Sequence, residues 1–184
     1  MINLKLIVCC DINYGIGKNG KLPWNIQSEM KLFKEKTIFK LNNCVIMGRS
    51  TYESIPEKYK PLKDRKNCIL SSTLNKNIYR SKNIEVFKDL SSCIEWIQKT
   101  KYDEYWIIGG KMIYESFMDS YEEFIEEIHV SIINKNFDCD CFFNPKLLNN
   151  NNFTKIFNKI YESKDNNEII TFNHMIFKRK KDCL

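Results

Sequence analysis

The chain has 184 residues, 43% of them hydrophobic and 28% charged, with a formal net charge of +6. That length and balance fit one soluble globular domain with a substantial core. No apolar run approaches the length needed to span a bilayer as a helix, so no membrane-spanning helix is expected.

Leu4 to Cys10 is a continuous apolar run with one lysine, the pattern of a strand covered on both faces. The N-terminal stretch is too short, and ends too polar, for a signal peptide. Asp11 to Tyr14 leads into a glycine-rich loop that Pro23 closes, and Asn25 is placed to cap a helix reaching about Phe39. Ile26, Met30, Phe33 and Thr37 line one stripe of that helix, and Glu29 lies four residues before Phe33 on a shared face. Cys44 to Met47 predicts a second buried strand. Ser50 to Glu53 has the form of a capping box opening a short helix that Pro56 stops. Strands are predicted at Asn67–Ser72 and Ile84–Phe87. Asp89 caps a helix carrying Leu90, Ile94 and Ile97. A strand at Tyr105–Ile108 runs into Gly109-Gly110 and a helix with Ile113, Phe117, Met118 and Tyr121 at helical spacing. His129–Ile133 is a strand. Phe153–Tyr161 and Ile169–Lys178 form a hairpin around a polar turn at Ser163–Asn167. Asn149–Asn152 reads as a loop. The alternation predicts an α/β three-layer sandwich: a mainly parallel sheet of about eight strands, an antiparallel C-terminal edge hairpin and about four flanking helices in one domain, 1–184.

Gly15, Gly17 and Gly20 spell the spacing of a dinucleotide-binding fingerprint, but that motif must open a helix, and Lys21-Leu22-Pro23-Trp24 follows instead. The glycines therefore suit a loop folding over a ligand. Two other strands end in helix starts, at Gly48-Arg49-Ser50-Thr51 and Gly109-Gly110. Side by side, these would offer backbone N–H groups and positive dipole ends to a pyrophosphate. Arg49 adds a fork for a further phosphate, and Ser71-Ser72 adds hydroxyls. An acid beside a ring, Glu29 with Phe33, suits protonation of a flat apolar ligand. The eight cysteines form no regular framework and suit a reducing, cytoplasmic setting. With no C-x-x-C and only His129 and His174, no metal site is expected. The basic tail Lys178–Lys181 lacks a nucleic-acid motif, so no nucleic acid is expected, and the positive excess would favour small polyanionic ligands.

Taken together these segments resemble the dihydrofolate reductase family over nearly the whole chain. The matching pieces are Gly15–Trp24, Glu29 with Phe33, Val45–Thr51, Ser54-Ile55-Pro56, Pro61-Leu62 with Arg65, Leu70–Ser72, Ile108–Gly110 with Tyr114, and Phe142-Phe143. The resemblance implies reduction of 7,8-dihydrofolate to tetrahydrofolate by hydride transfer from NADPH, in support of one-carbon metabolism and thymidylate synthesis. It implies Glu29 as the acid that grips the pterin and, with Trp24 and Leu22, helps deliver a proton to N5. Desolvation should raise the pKa of Glu29. The implied substrate contacts are Ile7, Val8, Phe33, Ser54, Ile55, Leu62, Ile108, Tyr114 and Cys141, with Arg65 pairing the α-carboxylate of the glutamate tail. The implied cofactor contacts are Cys9, Ile16, Gly17, Gly20 and Lys21 from the loop and its strand. Gly48, Arg49, Ser50, Thr51, Leu70, Ser71 and Ser72 join them for the phosphates, and Gly109, Gly110, Lys111, Met112, Ile113 and Tyr114 for nicotinamide and pyrophosphate. The Gly109-Gly110 bond is expected to be cis.

Three positions depart from the family pattern. Cys141 stands where many members have the Thr of Asp-Thr-x-Phe, which implies loss of the hydroxyl that supports the acid. Cys9 replaces a usual Ala, and Ser72 replaces an Arg carried by some members. A monomer without a fused thymidylate synthase is expected. The rival readings are a related-fold reductase of another pteridine or of a riboflavin-pathway pyrimidine, and a non-catalytic folate- or nucleic-acid-binding module. Glu29 and Arg65 argue against the first, and the intact loop, acid and phosphate sites against the second.

Overall fold

The computed structural model describes residues 3–73, 83–148, 151–165 and 168–180. In chain order these form β1 (Leu4–Cys10), β2 (Gly15–Gly17), α1 (Gln27–Ile38), β3 (Asn43–Gly48), α2 (Arg49–Ser54), β4 (Arg65–Leu70) and β5 (Ile84–Phe87). Then follow α3 (Leu90–Lys99), β6 (Glu104–Gly109), α4 (Lys111–Ser120), β7 (Ile125–Ile133), β8 (Cys141–Phe142), β9 (Phe153–Asp165) and β10 (Glu168–Arg179). One eight-stranded sheet runs β5-β4-β3-β6-β1-β7-β10-β9. Pairings from β5 to β7 are parallel, while β10 runs antiparallel to both β7 and β9. The mainly parallel sandwich with an antiparallel edge is thus as predicted. Parallel neighbours need crossovers, which the helices provide, and both sheet faces are covered in consequence.

The period of two in each strand sorts side chains between the faces. Leu4, Leu6, Val8 and Cys10 of β1 join a core with Cys93, Ile94 and Ile97 of α3 and Tyr114, Phe117 and Met118 of α4. Ile7 turns the other way, among Val45, Met47, Ile69, Trp106 and Tyr52, with Phe33 of α1 packed alongside. Trp24, Ile26 and Leu32 pack on Ile133, Ile170 and Phe172 at the β10 side. At the carboxyl end of the parallel strands, the β3–β6 register slips between Ile46 and Met47, so that Met47 faces Gly109. Such irregularities re-aim the chain beside functional sites.

Several local expectations shift. The N-cap of α1 is Ile26, not Asn25, and no side chain caps it. Ile26 is fully buried, so the core rather than a cap determines where the chain enters the helix. Within α1 the buried positions are Glu29, Leu32 and Thr37, while Met30 is exposed. The capping box at Ser50–Glu53 does not form. Gly48 is the N-cap, Ser50 already lies inside α2, and Glu53 pairs with Arg49 at 2.6 Å. β4 begins at Arg65 and stops at Leu70, short of Ser71-Ser72, and β7 begins as early as Ile125. β9 extends to Asp165, through half of the predicted turn, and residues 166–167 lie outside the described residues, as do 149–150 of the asparagine run. Asp89 caps α3 as expected, accepting from the Ser92 N–H at 2.8 Å.

Candidate active site

Glu29 lies in the first turn of α1 with only 5% of its surface exposed. Burial pushes its carboxyl up to about 7, against hydrogen bonds from Cys9 and Ser131 that pull it down. Cys9 and Ser131 are register partners on β1 and β7, which places thiol and hydroxyl together beneath the helix. Burial and the Glu29 charge raise the Cys9 thiol well above its usual range, so it remains a protonated donor. The Ser131 hydroxyl also meets His174 Nδ1 at 3.1 Å. Trp24 is 6% exposed, tilts against Phe137 at 5.2 Å between ring centroids, and its Nε1 has no partner among the described residues.

An apolar slot opens next to the acid. Phe33, Ile55, Leu62 and Ile108 are half-buried around the cluster that contains Ile7. Arg65 closes its far end, donating through Nη1 to Thr37 Oγ1 at 2.6 Å and through Nε to the Lys63 carbonyl at 2.9 Å. Its guanidinium lies 5.9 Å from the Phe33 ring centroid. Burial lowers its pKa, and Asp64 is the one carboxylate whose charge opposes this. A buried guanidinium so placed favours an incoming anion.

The glycine-rich loop is a small antiparallel ribbon, β2 against β8, with Gly15 opposite Phe142 and Gly17 opposite Cys141. Lys18 and Lys21 exchange backbone hydrogen bonds around Asn19 (φ 50) and Gly20 (φ 70), a tight Asn-Gly turn of the kind hairpins favour. Asp11, fully buried, holds the base of the ribbon. Its Oδ1 accepts from the Asn13 and Gly15 N–H groups at 2.9 and 2.7 Å, and Oδ2 from Phe137 N–H at 3.1 Å. Asp140 Oδ2 accepts from Asn19 N–H at 2.7 Å.

On the other side of the strand ends, α2 and α4 begin side by side. The Gly109-Gly110 peptide is cis, as expected, and Gly109 has φ +105. A Cβ on Gly109, which has a positive φ, would lie 2.8 Å from Tyr114 Oη, so glycine is required there, and one on Gly110 would press on Thr51 Oγ1 at 3.2 Å. Tyr114 is buried and donates to the Ile7 carbonyl at 2.9 Å, tying α4 to the floor beside the acid. Arg49 Nη1 donates to Thr73 Oγ1 at 2.9 Å, and Thr73 lies 3.4 Å from Ser71 Oγ, so a guanidinium and two hydroxyls gather where β3 and β4 end.

The predicted residues thus fall into two groups at one end of the sheet. Ile7, Cys9, Trp24, Glu29, Phe33, Ile55, Leu62, Arg65 and Ile108 surround the acid and slot. Gly48, Arg49, Thr51, Ser71, Gly109, Gly110, Ile113 and Tyr114 surround the helix starts. Ser54, half-buried, turns its hydroxyl back to the Thr51 carbonyl at 2.7 Å. Leu22, Gly20, Lys21, Ser50, Ser72, Lys111 and Met112 are exposed, while Ile16 and Leu70 pack on the α3–α4 core. Val8 turns its side chain into that same core, away from Glu29. The expected loss of a hydroxyl at the acid does not occur. Cys141 lies opposite Gly17 on the ribbon, and the hydroxyl beside Glu29 comes from Ser131. Ser131, Asp11 and Thr73 are the residues that sequence reasoning missed. For Ser131 the available signal was a lone hydroxyl inside an apolar strand.

One buried acid beside an apolar slot, next to two strand-to-helix turns at the carboxyl end of a parallel sheet, marks a candidate active site of α/β type. The family model for dihydrofolate reductase matches residues 3–179. Dihydrofolate reductase of Schistosoma mansoni is 37% identical over 153 residues, 79% of this chain and 80% of that protein. That of Heliothis virescens is 37% identical over 151 residues, 77% and 79% of the two chains. The bifunctional dihydrofolate reductase-thymidylate synthase 2 of Arabidopsis thaliana is 33% identical over 146 residues, 75% of this chain but 26% of that protein. The chain belongs to the dihydrofolate reductase family.

Proposed function

We propose that the protein reduces 7,8-dihydrofolate to 5,6,7,8-tetrahydrofolate with NADPH. The observation that carries this reading is Glu29, a carboxyl buried beside an apolar slot and raised to about 7. Near neutral pH it is shared between both protonation states, so it can grip the pterin edge as an anion and hold a proton for N5 as an acid. Phe33, Ile55, Leu62, Ile108 and Ile7 would sandwich the pterin and aminobenzoyl rings, and Arg65 would take the α-carboxylate. The cofactor would lie along the second group of residues, a reading supported by the close approach of Gly110 to Thr51 and by the gathering of Arg49, Ser71 and Thr73 where β3 and β4 end. NADPH would supply the hydride. The Arg49 cluster would hold its 2′-phosphate and so favour NADPH over NADH, and burial of Glu29 would keep bulk water from competing for its proton.

The test is to mix purified protein with dihydrofolate and NADPH and to follow loss of reduced-nicotinamide absorbance. Turnover that is lost on Arg65→Ala through KM for dihydrofolate, with KM for NADPH little changed, supports the assignment. Binding of both ligands without turnover would reject it in favour of a binding module.

A further inference from the structure

Behind Glu29 runs a buried polar chain that the reaction as proposed does not use. Ser131 is 1% exposed, His174 is fully buried and His129 is 3% exposed. Ser131 Oγ and His174 Nδ1 are 3.1 Å apart, joining β7 to the neighbouring β10. His174 Nε2 has no partner among the described residues, and neither has His129 Nδ1. The His129 tautomer follows from its other nitrogen: Nε2 lies 3.2 Å from the Glu127 carboxylate, so Nε2 carries the hydrogen and Nδ1 the bare lone pair. This pocket therefore tolerates an unpaired imidazole lone pair. A buried N–H without an acceptor is the rarer arrangement. The same rule places the hydrogen of His174 on Nδ1 and the lone pair on Nε2. With Nδ1–H donating to Ser131 Oγ, the hydroxyl hydrogen of Ser131 is left to point at Glu29.

We propose that His174 is a positioning residue for the acid: through Nδ1–H it orients the Ser131 hydroxyl as a donor to the Glu29 carboxyl. The inference rests on the reading that Glu29 is the acid. Two bonds in series polarise one another, so the donor reaching Glu29 is stronger than an unsupported hydroxyl. The groups facing His174 are His129 on β7, with its ring 5.5 Å away, Lys36 on α1, and Lys159, its register partner on β9. Lys159 Nζ turns to the Tyr161 ring at 5.0 Å, and the Phe157 ring lies 6.2 Å from the imidazole. Burial first, then the charges of His129 and Lys36, lower His174 to about 4, so the imidazole is neutral throughout the working range and acts by orientation rather than by charge.

Three variants test this on the intact protein through the pH dependence of the hydride-transfer rate. His174→Phe keeps a flat ring and removes the donor. His174→Asn offers an amide N–H close to the position of Nδ1. Ser131→Ala removes the hydroxyl itself. Losing the donor destabilises the Glu29 anion, so His174→Phe and Ser131→Ala should each raise the apparent pKa of the rate by about one unit, a tenfold change in proton affinity. The double variant should shift it no further. His174→Asn should restore the wild-type profile, with KM for NADPH unchanged in all. If His174→Phe does not fold, Ser131→Ala and His174→Asn still decide the matter. An unshifted Ser131→Ala profile overturns the proposal, and so does a His174→Asn profile that moves as far as that of Ser131→Ala. The 15N resonances of His174 in the wild-type protein give a reading independent of activity, in which a protonated Nε2 and a bare Nδ1 would overturn it as well. A wild-type protein inert towards dihydrofolate would sink the functional reading. An active enzyme whose Glu29-dependent profile ignores His174 would sink only this inference.

Discussion

Arg65 Nη1 donates to Thr37 Oγ1 at 2.6 Å, which ties the start of β4 to the last turn of α1. The same hydroxyl donates to the Phe33 carbonyl at 2.8 Å, so Thr37 holds the helix turn that carries Phe33 as well as the guanidinium above it. Thr37→Val keeps the volume and removes the acceptor. Arg65 should then lose its fixed rotamer, and KM for dihydrofolate should rise about tenfold, in keeping with loss of one hydrogen bond to a charged group worth about 1.5 kcal/mol. NADPH affinity, measured by fluorescence titration, should be unchanged.

How much of this arrangement is legible in the sequence depends on the range of the forces that build it. β1, β3 and β6 are buried on both faces and declare themselves as apolar runs, and Asp89 caps α3 through a contact three residues away. The β2–β8 ribbon is not visible, because two- and three-residue strands carry no period and Asp11 and Asp140 hold the ribbon by their carboxylates. Ser131 meets Glu29 only because β7 lies beside β1 in the register that sets Ser131 opposite Cys9, and no local pattern encodes that register. The Ser50–Glu53 motif misleads because β3 passes into α2 at Gly48 without a connecting loop, which leaves Ser50 inside the helix.

Glu29→Gln should move activity and stability in opposite directions. Turnover should fall about 100-fold, as for loss of a general acid, and most steeply at high pH, where solution protons are scarce. The native carboxyl titrates near 7 against 4.5 in the unfolded chain, so the folded state binds the extra proton between those values and loses stability as pH rises through that window. Gln carries no charge and escapes this loss. At pH 8 the variant should therefore be more stable by roughly 3 kcal/mol, a difference that fades as pH falls towards 4.5. Urea midpoints of both proteins at pH 5 and pH 8 measure it.

The acid limit of stability should be set partly by Glu127. The hydrogen bond from His129, followed by the hydrogen bond and charge of Lys5 and the charge of His129, lowers its carboxyl to about 2 against the opposing effect of burial. Burial lowers the His129 pKa, and His129 Nε2 and Lys5 Nζ meet the same Glu127 oxygen at 3.2 and 3.0 Å. A depressed carboxylate stabilises the fold above its unfolded pKa, and that contribution is lost as pH falls from about 4.5 towards 2. Glu127→Gln should lower the Tm near neutral pH by several degrees. It should also flatten the fall in Tm between pH 4.5 and pH 2, and scanning calorimetry across that range would register both effects.

Asp11 supports the β2–β8 ribbon, and its two oxygens can be tested separately. Asp11→Ala strips acceptors from the N–H groups of Asn13, Gly15 and Phe137, the second of them fully buried. Leaving such donors unpaired costs about 1–3 kcal/mol for each that water cannot reach, so a loss of about 3 kcal/mol in unfolding free energy is expected. Asp11→Asn can still accept at Oδ1 from Asn13 and Gly15, but its amide would confront the Phe137 N–H donor to donor. It should therefore lose less stability while detaching Phe137, whose ring lies against Trp24 at 5.2 Å. The conservative variant should then show the larger functional share of its defect, with slower turnover and altered Trp24 fluorescence at a urea midpoint closer to wild type. Equal loss of stability in both variants, with Trp24 emission unchanged, would assign Asp11 to folding alone.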